Sequence, residues 1–385
     1  MRTLATLPLP SGPAVLDAVD DLHAIIDGTI AALPVPAGDP REIERLESAL
    51  GAGEQIDDDI ALVIATSGTT GVPKGALHTA ATLAASAAAT DARLGGPGGW
   101  LLALPAHHIA GLQVLLRCLR GGFTPVVIDV ARGFDPADLI RGIDAIEGPR
   151  RYTSLVPTQL IKVLDDPNAT AALREVDAVL VGGAATPILL QQRAVDAGIP
   201  IVRTYGMSET CGGCVYDGVP LDGVGIVLDS ANADGVGRVI LRGPMVARGY
   251  RNVPDHSAFA VPGEYRTDDL GRLDDGVLSI IGRADEAITT GGLTVVPQVV
   301  EAAILSDPAV AECAVFGLPD ERLGERVVAA VVPSTGATID PERVRAVVIE
   351  RLDRSAAPRD VHIVDGLPLR GPGKVDRAAL RRSLS

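Results

Sequence analysis

Ile64-Ala65-Thr66-Ser67-Gly68-Thr69-Thr70-Gly71-Val72-Pro73-Lys74-Gly75 is the stretch on which the fold turns. The apolar run Ile60 to Ala65 leads into it and reads as a buried strand. The Ala-rich segment Ala76 to Ala92 behind it predicts a helix. From Thr66 to Gly75, ten residues hold four hydroxyls, three glycines and a lysine. Glycine lets backbone N–H groups approach an oxyanion, hydroxyls add donors and lysine adds charge, so the loop reads as an anion cradle. It is not a Walker A loop, because Pro73 precedes the lysine and Gly75, not a hydroxyl residue, follows it. An ordinary strand-to-helix connection is the competing reading.

Outward from this loop, Trp100 to Leu104, Thr124 to Ile128, Ala178 to Val181 and Ile199 to Arg203 read as further short buried strands. Helical patterns separate most of them, which predicts a large α/β domain of parallel βα layers. The first 60 residues read as helical patches broken by Pro and Gly. From Gly223 to Ile281 the texture changes to short strands punctuated by Gly, Asp-Gly and Asn, a small β-rich subdomain. Gly282 to Glu286 is a polar, charged link. Beyond it Val299 to Ser306, Ala314 to Phe316, Val327 to Val332, Pro341 to Leu352 and Asp360 to Val364 suggest a compact α+β unit. The expected organisation is therefore 1–282, a link at 283–286, and 287–385.

Composition narrows the function. The 385 residues are 47% hydrophobic and 22% charged, an ordinary balance for a chain with large cores. A net charge of −15 argues against nucleic acid and against anionic membranes as partners. No apolar run reaches the ~18 residues of a membrane-spanning helix, and the N-terminus makes a poor signal peptide. Four cysteines suit a reducing compartment, so a cytoplasmic protein without membrane insertion is expected. Of the 34 basic residues only Lys74, Lys162 and Lys374 are lysine. The final twenty residues carry five basic groups against one acid, Asp376.

The glycine-rich loop resembles the signature phosphate loop of the adenylate-forming enzymes, the superfamily of acyl-CoA synthetases, luciferases and peptide-synthetase adenylation domains. Further motifs follow in that family's order. Leu104-Pro105-Ala106-His107-His108-Ile109-Ala110-Gly111 is similar to its histidine segment at the acyl pocket. Val181 to Pro187 matches its adenine turn, and Thr204-Tyr205-Gly206-Met207-Ser208-Glu209-Thr210 its Tyr-Gly-x-Thr-Glu core, with Ser208 for Thr. Tyr265 to Leu270 resembles Thr-Gly-Asp with Asp268 for glycine. Gly282-Arg283-Ala284-Asp285, Ile288 to Pro297 and Leu367 to Arg377 complete the series, with Thr289 where many relatives have lysine. The phosphate loop begins much earlier than in typical members.

The resemblance implies an adenylate-forming fold with a mobile α+β C-terminal domain turning on Asp285. It implies ATP, Mg²⁺ and coenzyme A as partners of a small carboxylic acid. Ser67, Gly68, Thr69, Thr70, Gly71 and Lys74 would hold phosphates, and Gly183, Ala184 and Ala185 adenine. Thr204, Tyr205, Gly206 and Ser208 would line the nucleotide, Glu209 would hold Mg²⁺, Asp269 the ribose, and Arg283 a second nucleotide contact. Ser208, Glu209 and Lys374 would be catalytic, His108 would border the acid, and Gly291-Gly292 the thiol tunnel. Short members of this kind resemble the actinobacterial o-succinylbenzoate–CoA ligases of menaquinone synthesis. Such an acid has a second carboxylate, and Arg117, the sole charge between Gly111 and Leu119, is its candidate partner, with a capping role as the alternative. A ligase for another aryl or short acyl acid, an enzyme loading a carrier-protein thiol, and a catalytically silent nucleotide-binding regulator are the rival readings. A homodimer is the default expectation from common symmetry.

Cys211-Gly212-Gly213-Cys214 alone would suggest thiol redox or half a zinc site. No second pair exists, so a structural role is expected. The two adjacent histidines lack Cys or Glu at ligand spacing, which argues against a metal centre there.

Overall fold

The computed structural model describes residues 1–66, 72–370 and 374–384, with Arg370 and Lys374 described through their backbone. The chain forms two compact units, Met1–Val227 with Ile240–Arg266, and Leu228–Val239 with Thr267–Ser385.

The first unit contains two sheets. One runs, in spatial order, Gln55–Ile56, Arg2–Leu9, Ala31–Pro36, Ile60–Thr66 and Lys74–Thr79. Its three central strands are parallel and its two edges antiparallel. Leu4, Leu33, Val35, Leu46, Leu50 and Val63 form its core. The other runs Val219–Pro220, Gly212–Tyr216, Ile201–Met207, Ala178–Val181, Arg151–Leu155, Gly99–Leu102 and Val126–Val127. From Ile201–Met207 onward that sheet is parallel, with helices between successive strands. Trp100 and Tyr152 face each other across neighbouring strands, ring centroids 4.9 Å apart.

Three sequence expectations need correction here. The opening 60 residues contain two strands, Arg2–Leu9 and Ala31–Pro36, where helical patches were expected. The segment from Lys74 to Thr79 is a strand, and the helix begins only at Ala80. The stop is local: the Thr82 N–H donates to Thr79 Oγ1 at 3.1 Å, and the Thr79 N–H donates to Thr82 Oγ1 at 3.0 Å, a reciprocal cap. The glycine-rich loop therefore joins two antiparallel strands paired from Ile60↔Thr79 to Thr66↔Lys74. No helix dipole stands behind it, so any anion there is held by loop amides, hydroxyls and Lys74. Finally, the strand read as Ile199 to Arg203 extends over Ile201–Met207, which puts Thr204, Tyr205 and Gly206 on a strand.

Between Gly225 and Arg283 four strands follow in chain order, Gly225–Asp229, Gly237–Arg242, Glu264–Asp274 and Val277–Arg283, the β-rich texture anticipated. The rest of the second unit is α+β. Leu293–Val295, Ile288–Thr290, Gly324–Pro333 and Val310–Asp320 lie in that order, with Asp360–Ile363 parallel to Gly324–Pro333. Helices Pro297–Ile304 and Pro341–Arg351 pack on it through Val300, Ile304, Val344 and Val348. Among the described residues no helix is long and apolar enough to cross a membrane.

Candidate active site

Two close approaches shape the Thr204–Thr210 segment. A Cβ on Gly206 would come within 2.0 Å of the Gly212 carbonyl oxygen, at the bulge where the hairpin register shifts. A Cβ on Gly182 would meet Thr204 Oγ1 at 2.3 Å, so glycine is what lets Thr204 lie on the turn after Ala178–Val181. That turn continues through Gly183, Ala184 and Ala185, which are exposed or half-buried and open to a flat ligand. The strand then enters a 3-10 turn, Ser208–Thr210, where Thr210 Oγ1 accepts the Met207 N–H at 3.0 Å.

His78, fully buried, holds this turn from below. Its Nε2 donates to the Ser208 carbonyl at 2.7 Å, leaving Nδ1 to accept, with Cys211 Sγ 3.1 Å and Thr82 Oγ1 3.3 Å away. Burial lowers the His78 pKa to about 4, so the ring is neutral at pH 7. Cys211 and Cys214 are buried free thiols, each pushed up to about 12 by burial, which rules them out as reactive thiolates at neutral pH.

Glu209 is 6% exposed, and its Oε1 accepts the Tyr250 hydroxyl at 2.6 Å. Tyr250 and Tyr265 oxygens are 3.3 Å apart. Burial and the neighbouring Glu209 drive the Tyr250 phenol far above its ordinary pKa, so it stays protonated and donates. Lys74 reaches the same cluster: its Nζ lies 3.0 Å from His256 Nε2 and 5.0 Å from the Tyr250 ring centroid. Asn252 brackets the exit of the glycine-rich loop, donating to the Pro73 carbonyl at 2.9 Å and accepting the Gly75 N–H at 3.4 Å. The structure thus joins Lys74 and Glu209 through residues the sequence reading did not single out: Tyr250, Asn252, His256 and Tyr265. One signal was available. Aromatics are 3% of the chain, yet Tyr250, Phe259 and Tyr265 fall within sixteen residues. Ser67, Gly68, Thr69, Thr70 and Gly71 lie outside the described residues.

His108 is the N-cap of the helix Ile109–Arg120, its ring 4.2 Å from that of His107. Arg117 follows nine residues later, about 13 Å along the helix axis. Its side chain does not cap its own helix. Arg117 is 4% exposed, donates to Ser86 Oγ at 3.5 Å and lies over Trp100, 5.9 Å from the ring. Arg117 Nε, Gln113 Oε1, Asp91 Oδ1 and Trp100 Nε1 are buried without a hydrogen-bond partner among the described residues. Burial raises the Asp91 pKa, opposed by Arg117 and Arg120. Unpartnered polar atoms gathered in an interior are costly unless something occupies the space between them.

In the second unit, Asp269 is 9% exposed on the strand Glu264–Asp274. Its N–H donates to Thr267 Oγ1 at 3.0 Å, and Arg283 Nη1 lies 3.4 Å from its Oδ1. Arg283 also grips both oxygens of Asp285, at 2.9 and 2.8 Å. Asp268, in the family's glycine position, is in ordinary strand conformation and pairs with Arg238, so the backbone there does not require glycine. Gly291 and Gly292, with φ of 57° and 80°, form the two-residue turn of the hairpin Ile288–Thr290 and Leu293–Val295. Lys374 opens the short strand Lys374–Val375, opposite Arg370, while Gly371, Pro372 and Gly373 lie outside the described residues. Arg377 anchors the segment that follows, between Glu301 at 2.6 Å and Glu286 at 3.1 Å.

A family model described as AMP-binding enzyme matches residues 15–251, and one for the AMP-binding enzyme C-terminal domain matches 299–374. The chain belongs to the AMP-binding enzyme family. Over 383 residues this AMP-binding enzyme is 54% identical to a protein of Mycobacterium tuberculosis named "probable 2-succinylbenzoate–CoA ligase", with 98% of each chain covered. A 2-succinylbenzoate–CoA ligase of Geobacillus kaustophilus is 32% identical, covering 94% of this chain and 75% of the relative. A solved Bacillus subtilis o-succinylbenzoate–CoA synthetase, in complex with its acyl-adenylate intermediate, superposes with a TM-score of 0.77 at 26% identity. That match covers all of this chain and 88% of the other. The AMP-binding enzyme thus has the adenylate-forming fold expected from its motifs.

Proposed function

We propose that the protein joins 2-succinylbenzoate to coenzyme A at the expense of ATP, through an acyl-adenylate, in the cytoplasm and in menaquinone synthesis. The full-length relationship to a ligase of that name carries the reading. Arg117, buried with an unpartnered Nε, supports it: a dicarboxylic acid leaves one carboxylate unreacted, and a fixed guanidinium is a fitting partner for it.

In the first half-reaction the acid's carboxylate oxygen attacks the α-phosphorus of ATP, the α–β phosphoanhydride breaks and pyrophosphate leaves. Both reactants are anionic, so the site must supply positive charge where they meet. Lys374 brings an ammonium to the carboxylate and α-phosphate, and Lys74 faces the outer phosphates together with Ser67 to Gly71. Ser208 offers a hydroxyl to the same oxygens. Glu209 presents a hard carboxylate oxygen steadied by Tyr250, a donor that suits Mg²⁺, an ion bound through one or two carboxylates plus phosphate oxygens. Bound there, Mg²⁺ would neutralise charge on the leaving pyrophosphate. Asp269 accepts ribose hydroxyls, Arg283 gives a second contact, and Gly183, Ala184, Ala185 and Tyr205 bound the adenine. In the second half-reaction the C-terminal domain turns on Asp285, Lys374 withdraws and the Gly291-Gly292 hairpin borders the thiol path. Coenzyme A sulfur then attacks the acyl carbonyl and AMP leaves.

The test is a panel of carboxylic acids incubated with ATP, Mg²⁺ and coenzyme A, read by mass spectrometry of the thioester. The 2-succinylbenzoyl thioester should form at least tenfold faster than any other. A faster aryl acid would reassign the substrate, and a feruloyl-CoA synthase of Amycolatopsis, 31% identical over 401 residues, makes ferulate the first competitor to include.

A further inference from the structure

We infer that Tyr250 is a positioning residue that ties Glu209 to Lys74, so that one buried side chain aligns the metal-facing carboxylate with the phosphate-facing ammonium. The inference rests on the reading of the site given above and concerns what sets its geometry. Tyr250 is 3% exposed and forms an isolated antiparallel bridge with Ala76, in the strand that Lys74 begins. Its hydroxyl reaches Glu209 Oε1 at 2.6 Å, a length typical of a phenol donating to a charged carboxylate. A hydroxyl has one hydrogen. Since that of Tyr250 goes to Glu209, the 3.3 Å contact to Tyr265 must run the other way, from the Tyr265 hydroxyl to the Tyr250 oxygen. The chain of donors therefore has one direction, Tyr265 to Tyr250 to Glu209, and each link polarises the next.

The ring itself is fenced. His256 and Phe259 meet it edge-on, each with centroids 5.0 Å away and interplanar angles of 82° and 85°. Lys74 Nζ stands 5.0 Å from the centroid, within reach of a cation–π attraction. A carboxylate pinned at one oxygen presents its second oxygen in a fixed direction. A lysine resting on the same ring keeps its ammonium within one small cluster. Neither constraint depends on a nucleotide being bound.

The experiment is calorimetric titration of the full-length protein with ATP, once with excess Mg²⁺ and once with EDTA. The wild type should bind Mg·ATP more tightly than metal-free ATP; absence of any ATP binding would overturn the functional reading itself. In Tyr250→Phe the Kd for Mg·ATP should rise about tenfold, as expected for one lost hydrogen bond to a charged group, while the Kd for metal-free ATP moves less than about twofold. In Tyr250→Leu, which also removes the ring under Lys74, both constants should rise. Tyr265→Phe should give a smaller loss of the same Mg·ATP preference, and decides the matter if Tyr250→Phe fails to fold. Wild-type binding with an unchanged Mg·ATP to ATP ratio in a folded Tyr250→Phe, or an equal rise in both constants there, would overturn the positioning role alone.

Discussion

Glu209 and Asp269 are both buried carboxylates at the edge of a strand segment, yet their surroundings differ in kind. Glu209 takes a hydrogen bond from a phenol that stays protonated, and Asp269 lies 3.4 Å from a guanidinium that also clamps Asp285. A neutral donor fixes direction without cancelling charge. A cation cancels charge and leaves an oxygen that can still accept from neutral groups. The first arrangement suits a carboxylate that must attract a metal ion, the second a carboxylate that must receive sugar hydroxyls. The contrast separates two acids that a motif search treats alike.

The most direct way to break this contrast is to remove each charge in turn. Glu209→Gln keeps the side-chain shape and an acceptor for Tyr250 while deleting the charge, and should slow pyrophosphate release by about 10²–10³-fold, the range for losing one electrostatic element of a polar active site. A loss of only a few-fold would remove Glu209 from the metal's surroundings. The turn that carries Glu209 gives the next largest effect, in stability. His78 is neutral when folded, with a pKa near 4 against 6.5 for the free side chain. The unfolded chain therefore binds a proton that the folded one refuses as pH falls through this window. Stability should drop between pH 6.5 and 4 by on the order of 3 kcal/mol from this group, and be indifferent to it above pH 7. Urea midpoints across that range check it, and His78→Gln should flatten this part of the profile.

Arg117 extends the comparison to a buried cation. Arg117→Leu should raise the KM for 2-succinylbenzoate by about 10- to 100-fold, with the KM for ATP nearly unchanged, as for a lost charged hydrogen bond. Equal rises in both would mean that Arg117 supports the fold instead. Smallest is Asp269→Asn, for which the KM for ATP should rise about tenfold while the Mg²⁺ dependence stays as in the wild type. A shift in Mg²⁺ dependence from this substitution would erase the distinction between the two acids.

Much of this was readable before any coordinates. Ala178 to Val181 is a continuous apolar run buried on both faces, and the strand matches the reading residue for residue. Arg2–Leu9 and Ala31–Pro36 were hidden because Pro8, Pro34 and Pro36 look like breakers. The structure accommodates them by limiting the ladder: Ala31–Pro36 pairs with Ile60–Thr66 at Ala32↔Leu62 alone. Lys74–Thr79 was hidden by the alanines beyond it, whose helix preference overran a threonine cap. At the site, linear motifs exposed the residues that carry chemistry but not those that aim them. Tyr250 reaches Glu209 across 41 positions and His78 reaches Ser208 across 130, and neither spacing leaves a trace in composition or period.

The chain has a single tryptophan, and it is Trp100, buried with its indole N–H unpartnered and the Arg117 guanidinium over its ring. An excited indole responds to nearby charge by shifting and quenching its emission. The protein thus carries a built-in optical reporter beside the guanidinium assigned to the acid. A carboxylate docking on Arg117 would alter that emission with no nucleotide, dye or coupled assay present, so the acid's affinity could be followed by light alone.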